Sequence, residues 1–233
     1  VDKETDAGKR YYYTVETIVK QNGVKAYSGD SKPKSAINLQ KINITSTQAA
    51  DGGITLNWEK ISGANSYQIM RSASKDSGFE EIAKVNKAEL TSFTDWDVSA
   101  GARYFYRVRA LSDGTYTGYG SYCKTTEKWM LSAPKGLAVK TVSSSVTPDI
   151  PAQIMLSWNK VNGANSYVVL KSVEEQGSYE AAVNEGENLA YTDSAVQTGV
   201  TYYYKVAAVA KLGQESGRGD ETVPVSGIIP EAK

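Results

Sequence analysis

Three times along this 233-residue chain an Asp is followed six residues later by a Gly and then by a Tyr-x-Tyr-x-Val run. The copies are Asp2, Gly8, Tyr11, Tyr13, Val15; Asp95, Gly101, Tyr104, Tyr106, Val108; and Asp193, Gly199, Tyr202, Tyr204, Val206. A second block, Ile54 to Ser72 (ITLNWEKISGANSYQIMRS), recurs one hundred residues on as Ile154 to Ser172 (IMLSWNKVNGANSYVVLKS). Self-similarity on that period calls for an array of small domains, each closing its own core. No Trp block precedes the first copy. The spacing therefore predicts the C-terminal part of a module over 1–36 and whole modules over 37–131 and 132–233, with linkers short enough to restrict relative motion.

Alternation identifies the elements as strands. Ile54, Leu56 and Trp58 alternate with Thr55, Asn57 and Glu59, and Tyr104, Tyr106, Val108 and Ala110 alternate with Phe105, Arg107, Arg109 and Leu111. A period of two with one apolar face is the pattern of a half-buried strand. Asn22-Gly23, Asp113-Gly114 and Leu212-Gly213 supply hairpin turns at corresponding places. Short strands punctuated by turns every eight to twelve residues predict an all-β chain of tandem sandwiches. Trp58 and Trp158 would lie in the cores, and Tyr104 and Tyr202 would tie their hydroxyls to backbone upstream. Residues 1–30 alone would form a two-stranded hairpin exposing about 400 Å² of apolar face, up to about 10 kcal/mol of forgone burial. Pairing of that hairpin with another chain is the expected remedy, a truncated neighbouring module the alternative.

Composition removes whole function classes. Twenty-six basic residues balance twenty-six acidic ones, so no electrostatic footprint for nucleic acid or an anionic membrane exists. The absence of His takes away the commonest general base and metal ligand together. No catalytic, cofactor-binding or metal-binding set is expected, and Asp95, Asp97 and Asp193 read as turn caps. One Cys, Cys123, precludes an internal disulfide; its position fits either a covered thiol or an intermolecular pairing. No apolar run is long enough to cross a membrane as a helix.

The Trp-bearing strand, the Gly-Ala-Asn-Ser-Tyr block, the Thr-Asp and Gly positions and Tyr-x-Tyr-x-Val together resemble fibronectin type III modules, an immunoglobulin-like fold. Tyr119-Gly-Ser-Tyr122 is similar to the corresponding segment of the bacterial kind found in tandem on secreted and cell-wall proteins of Gram-positive organisms. The resemblance implies an extracellular or cell-surface setting and a noncatalytic spacer or interaction region, in adhesion or domain positioning, with an unknown protein or glycan as partner. Accessory carbohydrate-binding modules of a polysaccharide-degrading enzyme are the alternative. Two ligand-binding candidates follow. Tyr116, Tyr119 and Tyr122, interleaved with Gly and Ser, have the composition of a stacking surface for sugars, against an ordinary strand of the family. Arg218, Gly219 and Asp220 spell an adhesion-type tripeptide near the last hairpin, where the family pattern also starts a strand. Trp129, Met130 and Leu131 are expected to pack between the second and third modules.

Overall fold

The computed structural model describes residues 2–112, 118–143, 151–184 and 186–231. Within them every regular element is a strand. The first four are β1 (Arg10–Tyr13), β2 (Ile18–Gln21), β3 (Val24–Tyr27) and β4 (Lys34–Ile37). They are followed by β5 (Ile44–Ala50), β6 (Gly53–Trp58), β7 (Ser66–Ser72), β8 (Glu80–Val85), β9 (Ser92–Asp95), β10 (Arg103–Ser112), β11 (Gly118–Tyr119) and β12 (Thr126–Trp129). The last set is β13 (Ala138–Val142), β14 (Gln153–Ser157), β15 (Ser166–Ser172), β16 (Glu180–Asn184), β17 (Ala190–Asp193), β18 (Thr201–Leu212), β19 (Glu215–Glu221) and β20 (Val225–Ile228). By internal contacts the chain divides into two compact units, residues 1–46, 56–93 and 105–126, and residues 47–55, 94–104 and 127–233.

The chain is all-β, an N-terminal hairpin followed by two antiparallel sandwiches of equivalent topology. One sandwich sets the sheet β5-β6-β9 against β11-β10-β7-β8, with β12 also on β10; the other sets β13-β14-β17 against β16-β15-β18-β19, with β20 also on β18. The inward positions of β6 and β14 are filled as alternation requires: Ile54, Leu56, Ile154 and Leu156 are fully buried, Trp58 is 3% exposed and Trp158 is 4% exposed. Each indole meets the tyrosine of the next strand, Trp58 on Tyr67 with ring centroids 5.3 Å apart and Trp158 on Tyr167 at 5.6 Å. Those tyrosines also brace the turn before them, where Tyr67 Oη accepts from Ile61 N–H (3.1 Å) and Tyr167 Oη from Val161 N–H (2.7 Å). On β10 the outward alternation is interrupted, because Phe105 and Leu111 are buried as well as Tyr106, Val108 and Ala110.

The repeated Asp, Gly and tyrosines make one hydrogen-bonded corner. The carboxylate accepts from the N–H two residues on, Glu4, Asp97 or Ala195. The first tyrosine accepts from the backbone five residues back: Tyr11 from Asp6 (2.8 Å), Tyr104 from Ser99 (2.9 Å) and Tyr202 from Gln197 (3.2 Å). The second donates to the carboxylate, Tyr13 to Asp2 at 3.0 Å and Tyr204 to Asp193 at 2.7 Å. Asp193 is buried and also pairs with Lys171 Nζ at 2.6 Å. Burying a carboxylate is tolerable only when its lone pairs are used in this way.

The N-terminal hairpin is longer than the sequence predicts. Its inner pair, β2 and β3, closes on Asn22 (φ 49°) and Gly23 (φ 82°), the two left-handed residues of a type I′ turn. Its outer pair runs β1 against β4 with Arg10 opposite Ile37, so the segment Ser31 to Ala36, rich in Lys and Ser, ends in a strand. Tyr12, Val15, Ile18, Val19, Val24 and Tyr27 are exposed. The Asp113-Gly114 turn and most of the segment Ser143 to Ala152 lie outside the described residues.

Burial, followed by the bond to Asp193, pushes the Tyr204 phenol above the ordinary tyrosine range. Its proton is held more tightly folded than unfolded, so its contribution is intact below about pH 10 and declines above it, by up to about 1.4 kcal/mol per pH unit. Urea unfolding from pH 8 to 11.5 should show that decline in the parent and a shallower one in Tyr204→Phe; identical slopes would remove the assignment.

Candidate functional site

The outer face of the larger sheet of the first sandwich carries a ladder of stacked side chains. Residues two apart on β10 share a face, so Arg107 and Arg109 both project outward, away from buried Val108. The Arg109 guanidinium lies 4.5 Å from the Tyr119 ring centroid and 4.4 Å from that of Tyr122. Gln68, opposite Arg109 in register, accepts at Oε1 from Arg109 Nε (2.6 Å) and from the Tyr122 hydroxyl (2.9 Å), and its amide donates to Glu81. Arg107 sits 3.9 Å over Phe79 and donates to Thr125. Of the three tyrosines read from sequence, Tyr119 and Tyr122 are thus brought together around one cation, while Tyr116 lies outside the described residues. Tyr119 is 60% exposed. A ring held by a cation on one side, with an amide and a carboxylate nearby, is a surface for stacking and hydrogen bonding.

Arg218, Gly219 and Asp220 are inside strand β19. The Asp220 carboxylate accepts from Ala49 N–H at 2.8 Å and pairs with Lys128. Arg218 pairs with Glu221 at 3.0 Å. A Cβ on Gly219 would lie 2.6 Å from Leu131, so a side chain there would collide. The glycine serves close approach, and the carboxylate ties β19 to Ala49 of β5 and Lys128 of β12.

That approach is one half of a junction that occurs twice. In the first unit Ile37 lies against Gly118 and Leu39 against Gly120; in the second, Trp129 lies against Gly217 and Leu131 against Gly219. Trp129 and Leu131 belong to the core around Trp158. The Trp129 indole donates to Glu127 (3.0 Å), and Arg103, which pairs with Glu215, stands over its ring. The other half is a contact between glycines in positive φ. Within the first unit a Cβ at Gly63 (φ 77°) would lie 2.6 Å from Gly8 Cα; within the second, one at Gly101 (φ 79°) would lie 2.7 Å from the Gly163 carbonyl. The sequence shows these glycines as repeated, but close approach between residues 55 and 62 positions apart leaves no local signal. Lys128 and the Arg109 partners were missed for the same reason.

Cys123 is buried, and its sulfur accepts from Val108 N–H at 3.1 Å. Burial raises the thiol above its ordinary range, which disfavours the reactive thiolate. Among the described residues no three His, Cys, Asp or Glu side chains are grouped to hold a metal ion.

No protein-family model matches the chain. Over 155 residues, 61% of this chain, it is 25% identical to the amylopullulanase of Thermoanaerobacterium saccharolyticum, and the match takes in 12% of that protein. An 85-residue stretch, 36% of the chain, is 40% identical to the poly(3-hydroxybutyrate) depolymerase of Ralstonia pickettii, 14% of which it covers. An alignment spanning 92% of the chain is 24% identical to exoglucanase B of Cellulomonas fimi and covers 20% of it. The chain therefore spans a fifth or less of these relatives. Among solved structures it is similar to a segment of two fibronectin type III domains from chicken tenascin, at 18% identity and a TM-score of 0.38, covering 82% of this chain and 98% of that one.

Replacing Asp220 by Ala leaves the Ala49 N–H without its acceptor and the largely buried Lys128 ammonium with the Thr47 carbonyl at 3.4 Å in place of its charge partner, a loss of about 2 kcal/mol in unfolding free energy. Arg218→Ala removes an exposed pair and should cost under about 0.5 kcal/mol. Equal denaturation midpoints for the two variants would contradict the inward role of the carboxylate.

Proposed function

We propose that the chain is a noncatalytic spacer and interaction region of a secreted or surface-exposed bacterial protein, setting the positions of neighbouring domains. The observation that carries this reading is the duplicated junction. Glycine against glycine, and linker side chains against a Gly-x-Gly segment, recur in both units, and contacts that admit no added side chain resist reorientation. The partial matches to much larger proteins named as polymer-degrading enzymes support a place beside catalytic domains, outside the cell, and the module boundaries at 36/37 and 131/132 belong to the same reading. Spin labels at Ser99→Cys and Ser178→Cys in a Cys123→Ser background should report one narrow distance distribution, broadened by Gly163→Val. A broad distribution without that substitution would sink the spacer reading.

A second reading, glycan binding, is favoured by the exposed Tyr119 ring on Arg109. Affinity electrophoresis in gels containing soluble starch or hydroxyethylcellulose should then show retardation that Tyr119→Ala reduces at least about fivefold, as expected for loss of one stacking ring. Unretarded migration of the parent in both gels would discard it.

A further inference from the structure

The first sandwich holds a tryptophan that its fold does not require. Trp96 follows β9 and is 66% exposed, whereas Trp58, Trp129 and Trp158 are buried. The six-membered part of its indole lies over Gly53 at the start of β6, where a Cβ would be 2.7 Å from Trp96 Cε3 and 2.9 Å from Thr94 Cγ2. Ile54 and Leu56 fill the core, so Gly53 and Thr55 lie on the outer face of the strand, and the ring lies there with them. Thr55 and Thr94 stand side by side, their hydroxyl oxygens 2.9 Å apart. The indole N–H donates to no described residue. By the repeat, Gly53, Thr55, Thr94 and Trp96 correspond to Gln153, Met155, Thr192 and Ser194 of the second sandwich, where Met155 opposes Thr192 in register. Gly53 does not have the left-handed φ that calls for glycine. Its side chain is given up for the ring alone, and where serine replaces the tryptophan a glutamine stands in the strand.

We propose that Trp96, Thr55 and Thr94 form a binding platform for a neutral pyranose chain, with one sugar ring stacked on the exposed indole. An aromatic ring with a polar edge suits a ligand that is apolar on its C–H face and wet at its rim. Each threonine hydroxyl can both donate and accept, and the indole N–H donates. That set complements the hydroxyls of an uncharged sugar. Unlike Tyr119, the ring has no cation of a described residue over it. A folded protein, a second copy of this chain included, is not the occupant, because one indole and two threonines fall far below the roughly 800 Å² a side that a stable interface takes. They are enough for one sugar ring. The platform shares its ligand class with the second reading above and shares no residue with the Tyr119 surface, so either holds without the other.

Because the other three tryptophans are buried, acrylamide quenching of tryptophan emission in the full chain reads the accessibility of Trp96. Adding maltohexaose or cellopentaose at about 20 mM should lower the quenching constant at least about twofold, as a covered ring requires, with an equal mass of sorbitol as the viscosity control. Trp96→Ser, which installs the residue of the second sandwich, should remove most of the quenchable emission and so assign the signal. Thr55→Val with Thr94→Val keeps two β-branched side chains on the face and removes both hydroxyls. That variant should stay quenchable, retain a cooperative urea transition and lose most of the protection by sugar. Quenching that neither oligosaccharide reduces beyond sorbitol would overturn the proposal, and so would protection undiminished in the double valine variant. Protection measured in Tyr119→Ala separates the two surfaces. Protection retained there supports this platform whatever the gel experiment gives, and unprotected Trp96 beside gel retardation that depends on Tyr119 removes this inference alone.

Discussion

The start of each repeated Tyr-x-Tyr-x-Val run depends on a corner where a carboxylate accepts from a turn amide and a tyrosine hydroxyl accepts from the backbone five residues back. Asp193 is the fullest case, accepting from Ala195, Tyr204 and Lys171 while almost entirely buried. With its donors in place the carboxylate fixes the strand-connecting turn against β18 and so fixes where that strand begins. Tyr202 does the same from the neighbouring position by accepting from Gln197. Because the strand start sets the register, the corner determines which residues face the core, and a slip of one would turn Tyr204 and Val206 outward. That dependence explains why the Asp, Gly and tyrosines keep their spacing in all three copies.

The glycines answer a different demand. Gly8, Gly101 and Gly199 share the left-handed conformation that ends the corner, which a β-carbon would disfavour. Conformation alone would tolerate Asn there. Contact does not, because the backbone of the next glycine turn occupies the space a side chain would need at Gly8 and Gly101. Gly118, Gly217 and Gly219 act in strands and Gly120 directly follows one, places where glycine weakens the element and is kept only for a close neighbour. Their neighbours are Ile37, Leu39, Trp129 and Leu131 respectively. Local stability is given up in β11 and β19 so that the preceding linker can lie against them.

How much of this was legible in the sequence depended on range. Alternation placed Ile54, Leu56, Trp58 and their counterparts in the core because strand geometry projects burial directly onto a period of two. The same logic failed at Phe105 and Leu111, which are buried although alternation assigns them to the outward face. The tyrosine corners were readable since donor and acceptor lie five residues apart. Arg109 with Gln68 and Tyr122 was not, because it needs the register of β7 on β10 and the return of the chain after β11. The extra length of the N-terminal hairpin was hidden by composition, as Lys34 and Ser35 resemble linker residues until Tyr12 and Tyr13 are found opposite them.

The tripeptide at Arg218 shows what a short motif is worth once its backbone is known. Its counterpart in the first sandwich is Tyr119-Gly120-Ser121, aligned by the shared approach of Leu39 to Gly120 and Leu131 to Gly219. Only the glycine is common to both, and only the glycine is demanded by the junction. The flanking residues are free to take local work: Tyr119 stacks on Arg109, Arg218 pairs with Glu221, and Asp220 binds Lys128 and the Ala49 amide. A carboxylate used twice inside its own chain would have to surrender both partners to reach a ligand, losing a charge pair and leaving a covered amide unsatisfied. The spelling of the tripeptide is therefore a by-product of a strand whose glycine is structural, and its neighbours are explained by the ion pairs and the amide contact they make within the chain.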